Sequence, residues 1–368
     1  MQVTLTAKVK LTPTPEQASL LLTTIRSIKQ ALNHTSRFSF EHQVATPFAL
    51  HKQLYRPLRT TFGLRSQMAQ SVIKTVAAKY RSMKSNGVTG TLAVFRKPEY
   101  DLVYNRDYSI KKDQFSLNTL EGRVKVPFNP NGMERFFDGT WDFGTAKLVV
   151  KKGKFFLHIP MTKEMEEPTD DRRIRNIVGI DLGINFLATT YDSDRKTAFY
   201  NGRQVKTRRA RYAQARKSLQ QRQTPSARRR LKATGNRENR WMSDVNHQLS
   251  KALVTRAGKD SLLVLEDLSG VRGKTEKVRL QDRYVSVSWA FRQLRQMIEY
   301  KAALHQCKVI AVDPAYTSQT CPKCLKPDKA NRIKKIHTFR CKKCGYTTND
   351  DRVGAMNLRY KGTEYLSK

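Results

Sequence analysis

Ile177-Val178-Gly179-Ile180-Asp181-Leu182-Gly183 sets a run of apolar and small residues against a carboxylate and a glycine. A run that short, bounded by turn residues, reads as a buried strand, and the acid stands where the strand emerges. Working outward, Phe186 to Tyr191 and Lys196 to Tyr200 follow at meander spacing, with Gly183 and Asp192 to Asp194 at the turns. Leu262-Leu263-Val264-Leu265-Glu266 repeats the pattern of a buried run ending in an acid, and Val309 to Val312 forms another such run. Helical periodicity at Trp241 to Leu253 and at Trp289 to Leu304 alternates with these strands, which implies a mixed α/β class. Open α/β sheets gather their sites at strand ends, so Asp181 and Glu266 form a candidate pair; singly, each could be a strand-terminating turn residue.

A third acid is sought in Asn349-Asp350-Asp351-Arg352-Val353-Gly354-Ala355-Met356-Asn357, where two aspartates stand just before a helical pattern. Either aspartate could instead be an N-cap. Three converging carboxylates would repel one another by about 4 kcal/mol per pair at 4 Å and an effective dielectric near 20, so a cation must offset them. Magnesium prefers hard oxygen donors, and two such ions suit phosphodiester hydrolysis; manganese could replace them.

Four of the five cysteines fall into two knuckles, Cys321-Pro322-Lys323-Cys324 and Cys341-Lys342-Lys343-Cys344, separated by sixteen residues. This spacing reads as one tetrahedral zinc site, and four thiolates leave no open position, so its role is structural. His337, between the knuckles, reads as solvated, and Cys307 as an inert core residue.

Lys and Arg number 70 against 31 for Asp and Glu, a net charge of +39 and a pI near 10.3. Such self-repulsion calls for a polyanion. No run reaches the roughly 20 apolar residues of a spanning helix, and Met1-Gln2-Val3-Thr4 lacks the apolar core of a signal peptide, so nucleic acid is the expected partner, with no membrane and a reducing cytoplasm. The basic residues crowd between Arg203 and Arg240, where Glu238 is the lone counter-charge. Arg208, Arg209, Arg228, Arg229 and Arg230 are the candidate contacts to a phosphate backbone. Lys274 to Arg283, with Gly270 and Gly273 just before it, is a second basic segment with no apolar periodicity. Tyr104, Tyr108, Phe136 and Phe137 could stack on bases, though core packing is the simpler role for each.

Upstream, Val3, Leu5, Ala7, Val9 and Leu11 alternate as in a half-buried strand. Thr14-Pro15-Glu16-Gln17 is a capping box that starts a helix burying Leu21, Ile25, Ile28 and Leu32. Leu64, Met68, Val72, Val76 and Tyr80 predict another helix. Strand patterns return from about 100 to 163, with hairpin turns at Glu121-Gly122 and Lys152-Gly153. Glu164 to Asp171 turns acidic around Pro168 and reads as a linker.

The order Gly179-Ile180-Asp181-Leu182-Gly183, Leu265-Glu266-Asp267-Leu268, Asp313-Pro314-Ala315-Tyr316-Thr317-Ser318-Gln319-Thr320-Cys321, the second knuckle, and Asp351 before Ala355-Met356-Asn357 resembles the TnpB nucleases of insertion sequences, relatives of the type V CRISPR effectors. The resemblance spans nearly the whole chain. It implies a multidomain α/β protein. An N-terminal β-barrel wedge over residues 1–163 would carry a helical recognition insert at about 14–95, and residues 164–173 would form the linker. A RuvC-like domain of RNase H fold would occupy 174–368, with a zinc ribbon at about 317–347. It further implies that a guide RNA derived from the transposon end directs cleavage of double-stranded DNA beside a short target-adjacent motif. The protein would be monomeric on one RNA and would act at the prokaryotic nucleoid. Asp181, Glu266 and Asp351 would hold two magnesium ions. The family pattern is Asp-Arg-Asp-x-Asn before Ala-Ala-x-Asn; here Asp350 stands at the arginine and Val353 at the asparagine. Counting back from Asn357 selects Asp351, with Asp350 as its rival. A strand-transferring DNA transposase and a guide-dependent repressor with an impaired site are the competing functions.

Overall fold

A computed structural model describes residues 2–97, 99–166, 170–183, 185–267, 291–333 and 336–367. The chain divides into two compact units, Gln2–Glu164 and Met165–Lys368. The basic segment Lys274 to Arg283, Gly270, Gly273, Trp289 and the linker's Pro168 lie outside the described residues.

In the first unit β1 (Gln2–Leu11) pairs antiparallel with β8 (Lys154–Glu164) from Gln2 opposite Glu164 to Leu11 opposite Phe155, so the two ends of the unit are stitched together. Since β8 runs to Glu164, the predicted linker loses its first residue to a strand. Three helices intervene after β1: α1 (Pro15–Glu41), α2 (Pro47–Phe62) and α3 (Ser66–Ser85). The capping box of α1 forms, with Gln17 N–H donating to Thr14 Oγ1 at 3.3 Å and Thr14 N–H to Gln17 Oε1 at 3.2 Å. α1 buries Leu21, Ile25, Ile28 and Leu32. The remaining strands are β2 (Glu99–Leu102), β3 (Tyr108–Lys111), β4 (Gln114–Thr119), β5 (Gly122–Asn129), β6 (Asp142–Phe143) and β7 (Ala146–Lys151). They complete a sheet of order β2-β7-β8-β1-β5-β4-β3, with β6 paired to β8. Lys152 and Gly153 turn the β7–β8 hairpin with φ of 52° and 71°, the left-handed pair that a two-residue hairpin turn requires. The four aromatic candidates pack within this unit. Tyr108 is buried and donates to Gly144 O at 2.6 Å, Tyr104 stacks on Phe143 at 4.9 Å, Phe136 meets Trp141 edge-on at 5.1 Å, and Phe137 packs at 5.3 Å from Phe128.

The second unit is built on β9 (Asn176–Asp181), β10 (Phe186–Tyr191), β11 (Thr197–Asn201), β12 (Ser261–Glu266) and β13 (Lys308–Val312). Their order is β11-β10-β9-β12-β13. β9, β10 and β11 form an antiparallel meander, whereas β12 is parallel to β9 and β13 to β12. Parallel neighbours need crossovers, which here carry α4 (Arg203–Arg222), α5 (Pro225–Thr234) and α6 (Arg237–Ala257) before β12, and α7 (Phe291–Leu304) before β13. Leu249, Leu253 and Val254 of α6 and Leu294 and Ile298 of α7 pack with Val178, Ile180, Leu263 and Leu265 on one face of the sheet. Leu358 of α8 (Asp350–Leu366) packs with Ile177, Leu262 and Val264 on the other. Between β13 and α8 a small sheet, β14 (Arg332–Ile333), β15 (Thr338–Arg340) and β16 (Thr347–Asn349), carries the cysteine knuckles. Among the described residues no helix is long and apolar enough to cross a membrane.

Candidate active site

The pleat settles which way the strand-end acids face. Residues two apart on a strand share a side, so Asp181 follows Ile177 and Gly179, and Glu266 follows Leu262 and Val264, onto the face covered by α8. The parallel register pairs Leu265 with Ile180, which sets the two acids side by side at the ends of β9 and β12. Asp267 falls on the opposite face, where Arg295 of α7 pairs with it at 3.2 Å.

α8 brings the third acid. Its N-cap is Asn349, whose side-chain oxygen accepts from Asp351 N–H at 3.0 Å and Arg352 N–H at 3.1 Å, so neither aspartate serves as the cap. Asp350 is buried and paired with Arg332 Nε at 2.8 Å. Asp351 is the aspartate of the two whose charge acts more strongly on Asp181. One turn further on, Gly354 lies directly over Asp181: a Cβ at 354 would stand 2.9 Å from Asp181 Oδ2. Gly179 does the same from the strand, since a Cβ there would run into the backbone of Ala355 and Arg359. Without side chains at these two positions, helix backbone rests on strand backbone.

The result is a concentrated negative site. Burial lifts the Asp181 carboxyl well above the usual carboxylate range, and the charges of Glu266 and Asp351 lift it further, while Arg332 opposes them. Burial also raises Glu266, against the Thr317 hydroxyl, which donates to Oε1 at 2.6 Å, and against Lys361 and Arg332. Asp351 is raised by burial and by Asp350, with Arg332 and His337 opposing. Arg332 alone cannot balance this trio, and a donor set made of carboxylate oxygens fits a hard divalent cation.

His337 is exposed, as expected of a solvated residue, and still has polar neighbours. Its Nε2 bonds Asn185 Nδ2 at 3.0 Å and its Nδ1 lies 3.7 Å from Asp350 Oδ1. The ligand atoms of His337, Asp350 and Asp351 lie within 4.8 Å of one another, but Arg332, 2.8 Å from Asp350 and 3.8 Å from Asp351, already holds that position.

The four cysteine sulfurs all lie within 4.8 Å of one another, with Cys321–Cys344 and Cys324–Cys341 each at 3.6 Å. A tetrahedral ion with bonds of about 2.3 Å needs its sulfurs about 3.8 Å apart, so the cluster has the size for one ion. The backbone N–H groups of Cys344 and Lys343 hold the Cys341 thiol down at about 6, whereas burial pushes the Cys321 thiol up to about 12. Val353, one of the departures from the family pattern, is buried with Phe339, Cys321 and Cys341. β16 then runs straight into α8, so the cluster and Asp351 belong to one continuous piece. Cys307 is buried, its Sγ 2.9 Å from Gly258 O.

The basic tract is helical and its five candidates separate. Arg228, Arg229 and Arg230 on α5 are exposed. Arg208 lies over the Trp241 ring at 4.5 Å and keeps its exposure. Arg209 is a correction: it is 4% exposed and paired with Glu238 at 3.4 Å, and Arg216 binds the same carboxylate. A buried arginine held by its own acid is a helix-packing element and not a contact to phosphate. The lone acid in the tract was the signal for it. Thr317 entered the sequence reading only as part of the Asp313–Cys321 motif, and Arg332 and Lys361 not at all, since nothing in a loop threonine or a ribbon arginine marks proximity to a distant acid.

Residues 158–269 match a family model described as a probable transposase, OrfB_IS605, and residues 291–358 match the Cas12f1-like TNB domain. The CRISPR-associated endodeoxyribonuclease Cas12f1 of Sulfoacidibacillus thermotolerans is 29% identical over 248 residues, covering 61% of this chain and 55% of that protein. A TnpB-like protein of Methanocaldococcus jannaschii is 33% identical over 132 residues, covering 35% of this chain and 45% of that protein. Over these parts of its length the chain is similar to TnpB-like and Cas12f1 proteins. It spans about half the length of the curated relatives it matches. Among solved structures, a Cas12f1–sgRNA–target DNA complex aligns with a TM-score of 0.62 at 11% identity over 98% of both chains. The mini-RNA-guided endonuclease CRISPR-Cas phi3 aligns at 0.61 and 11% identity over 98% of this chain and 92% of that one. Identities this low carry the chain's fold and nothing finer.

Proposed function

We propose that this chain is a TnpB-like RNA-guided endonuclease that cleaves double-stranded DNA beside a short target-adjacent motif, with Asp181, Glu266 and Asp351 as its hydrolytic acids. The observation that carries the proposal is the convergence of two strand-end acids and a helix acid on one face of a sheet ordered β11-β10-β9-β12-β13. That order, a three-stranded meander extended by two parallel strands, supports a RuvC-like domain of RNase H fold. The cysteine sheet supports a zinc ribbon, and the first unit supports a wedge barrel with a helical recognition insert. Two magnesium ions, or manganese in their place, would supply water activation and stabilisation of the leaving oxygen. The chain's own part is to hold three carboxylates within reach of one phosphate. Gly354 lets α8 settle onto Asp181, Thr317 occupies one oxygen of Glu266, and Arg332 moderates the charge.

The names of the relatives support a guide RNA and a DNA target as partners, and a charge of +39 suits gripping both by their backbones. In this reading one protein binds one RNA copied from the transposon end and works in a reducing cytoplasm at the nucleoid. A strand-transferring transposase is the second reading, favoured by the description of the family model over 158–269. Co-expression with the flanking locus, sequencing of the copurified RNA, and a magnesium-dependent cleavage assay on a plasmid with a randomised flank test the two together. The expected outcome is guide-dependent cutting that Asp181→Ala abolishes while RNA-directed DNA binding persists. Undiminished cutting by that variant sinks the site, and RNA-independent strand transfer selects the transposase.

A further inference from the structure

We propose that Thr317 is a positioning residue that aims Glu266, an inference that rests on the reading of the three acids as the hydrolytic site. Glu266 has one more rotatable bond than either aspartate. It is therefore the member of the trio most able to swing out of register, and fixing it costs the most rotamer freedom. Thr317, on the segment between β13 and the cysteine sheet, is 3% exposed, and its hydroxyl lies 2.6 Å from Glu266 Oε1 and 2.9 Å from Pro314 O. A hydroxyl has one proton to give, and an ionised carboxylate is the stronger acceptor, so the shorter contact takes it. Oε1 is thereby occupied and Oε2 is left for an ion.

The brace is anchored on the helix that carries Asp351. Asn357 of α8 is buried and spends both amide hydrogens on this segment, donating to Thr317 O at 2.7 Å and to Thr320 O at 2.8 Å. One turn on, Lys361 donates to Asp313 O at 2.5 Å and reaches Ala315 O at 3.4 Å. The segment is thus tied to α8 at two points, and its hydroxyl touches an acid on β12. Glu266 and Asp351 come from elements distant in sequence, and a chain of hydrogen bonds holds one relative to the other. Charge alone would not do this, because Lys361 and Arg332 attract Glu266 without selecting one of its oxygens.

The test compares Thr317→Val, which keeps the shape and loses the donor, with Thr317→Ser, which keeps the donor, each as the protein with its copurified RNA. The magnesium concentration for half-maximal cleavage should rise about tenfold or more in the valine variant, the lower end for loss of an outer-shell partner, and return to near the parental value in the serine variant. Guide-directed DNA binding should not change. Thr317→Ala supplies the same comparison if the valine variant does not fold. An unmoved magnesium midpoint in the donor-less variant, or a rate loss that serine does not rescue, overturns the positioning role. Glu266→Gln separates this from failure of the site itself. If that variant still cuts, the reading of the acids is at fault; if it is inactive while Thr317→Val behaves as the parent, only the brace is.

Discussion

Asp181 carries an electrostatic strain whose sign can be measured. Its carboxyl titrates higher in the folded chain than in the unfolded one, chiefly through burial and then through Glu266 and Asp351. The folded state therefore binds the proton more tightly. The stability this brings is full below the ordinary carboxylate range and is lost as pH rises through the raised value. Without divalent metal, the protein should melt at a lower temperature at pH 7.5 than at pH 5 because of this group. Asp181→Asn keeps the shape and removes the charge. It should raise the metal-free melting temperature at pH 7.5, by about 2–4 °C for each kcal/mol relieved in a unit of this size, and erase the rise that magnesium produces in the parent. Melting curves at the two pH values, with and without magnesium, read this directly. A metal-free variant no more stable than the parent would mean that the trio is already neutralised within the chain.

At the scale of elements, the contact that makes the site is α8 lying on β9, and it depends on what is missing from two residues. Gly179 and Gly354 leave no side chain between helix and strand, and Leu358 packs beyond them on Ile177, Leu262 and Val264. Gly179→Ala forces the two backbones apart, an overpacking that costs about 1–3 kcal/mol. The expected result is a clear drop in melting temperature together with a loss of cleavage larger than the lost stability explains, because Asp351 moves with the helix. An alanine variant with parental stability and rate would refute the close approach. The same elements show what can be read from a chain and what cannot. Strand parity and the acids at the ends of Ile177–Asp181 and Leu262–Glu266 are local patterns, so Asp181 and Glu266 were legible. The neighbours that tune them were not: Thr317, Arg332 and Lys361 reach the acids through tertiary contacts between separate loops and helices. α4 went unread for a different reason. It buries only Val205 and Arg209, so it has no apolar stripe to betray a helix. α2 and α5 did carry a signal, Thr46-Pro47 and Thr224-Pro225, each a threonine cap with proline at the first helical position.

Across the whole molecule a charge of +39 is spent unevenly, and burial separates the arginines that fold the protein from those free to meet a polyanion. Arg209 and Arg216 share Glu238, a pairing that lets a nearly all-basic α4 pack against α6 without an uncompensated buried charge. Arg228, Arg229 and Arg230, a few turns away in sequence, are exposed on α5. Substitution should therefore split the basic tract into two behaviours. Each phosphate contact releases condensed counterions, so the logarithm of the duplex affinity falls against the logarithm of salt concentration with a slope of about 0.9 per contact. Replacing Arg228, Arg229 and Arg230 together by glutamine should move the melting temperature by less than about 3–6 °C, since changes at exposed positions are worth under about 0.5 kcal/mol each and a kcal/mol is worth about 2–4 °C here. If all three touch duplex phosphates, the salt slope should become shallower by about 2.7. Arg209→Gln should do the reverse, lowering the melting temperature and leaving the slope of the folded protein unchanged, because it takes a cationic partner from buried Glu238 and removes no exposed charge. Titrations of the protein–RNA complex with target duplex at several salt concentrations, paired with melting curves, measure both quantities on the same samples. An unchanged slope in the triple variant would remove α5 from the nucleic-acid surface, whatever its charge.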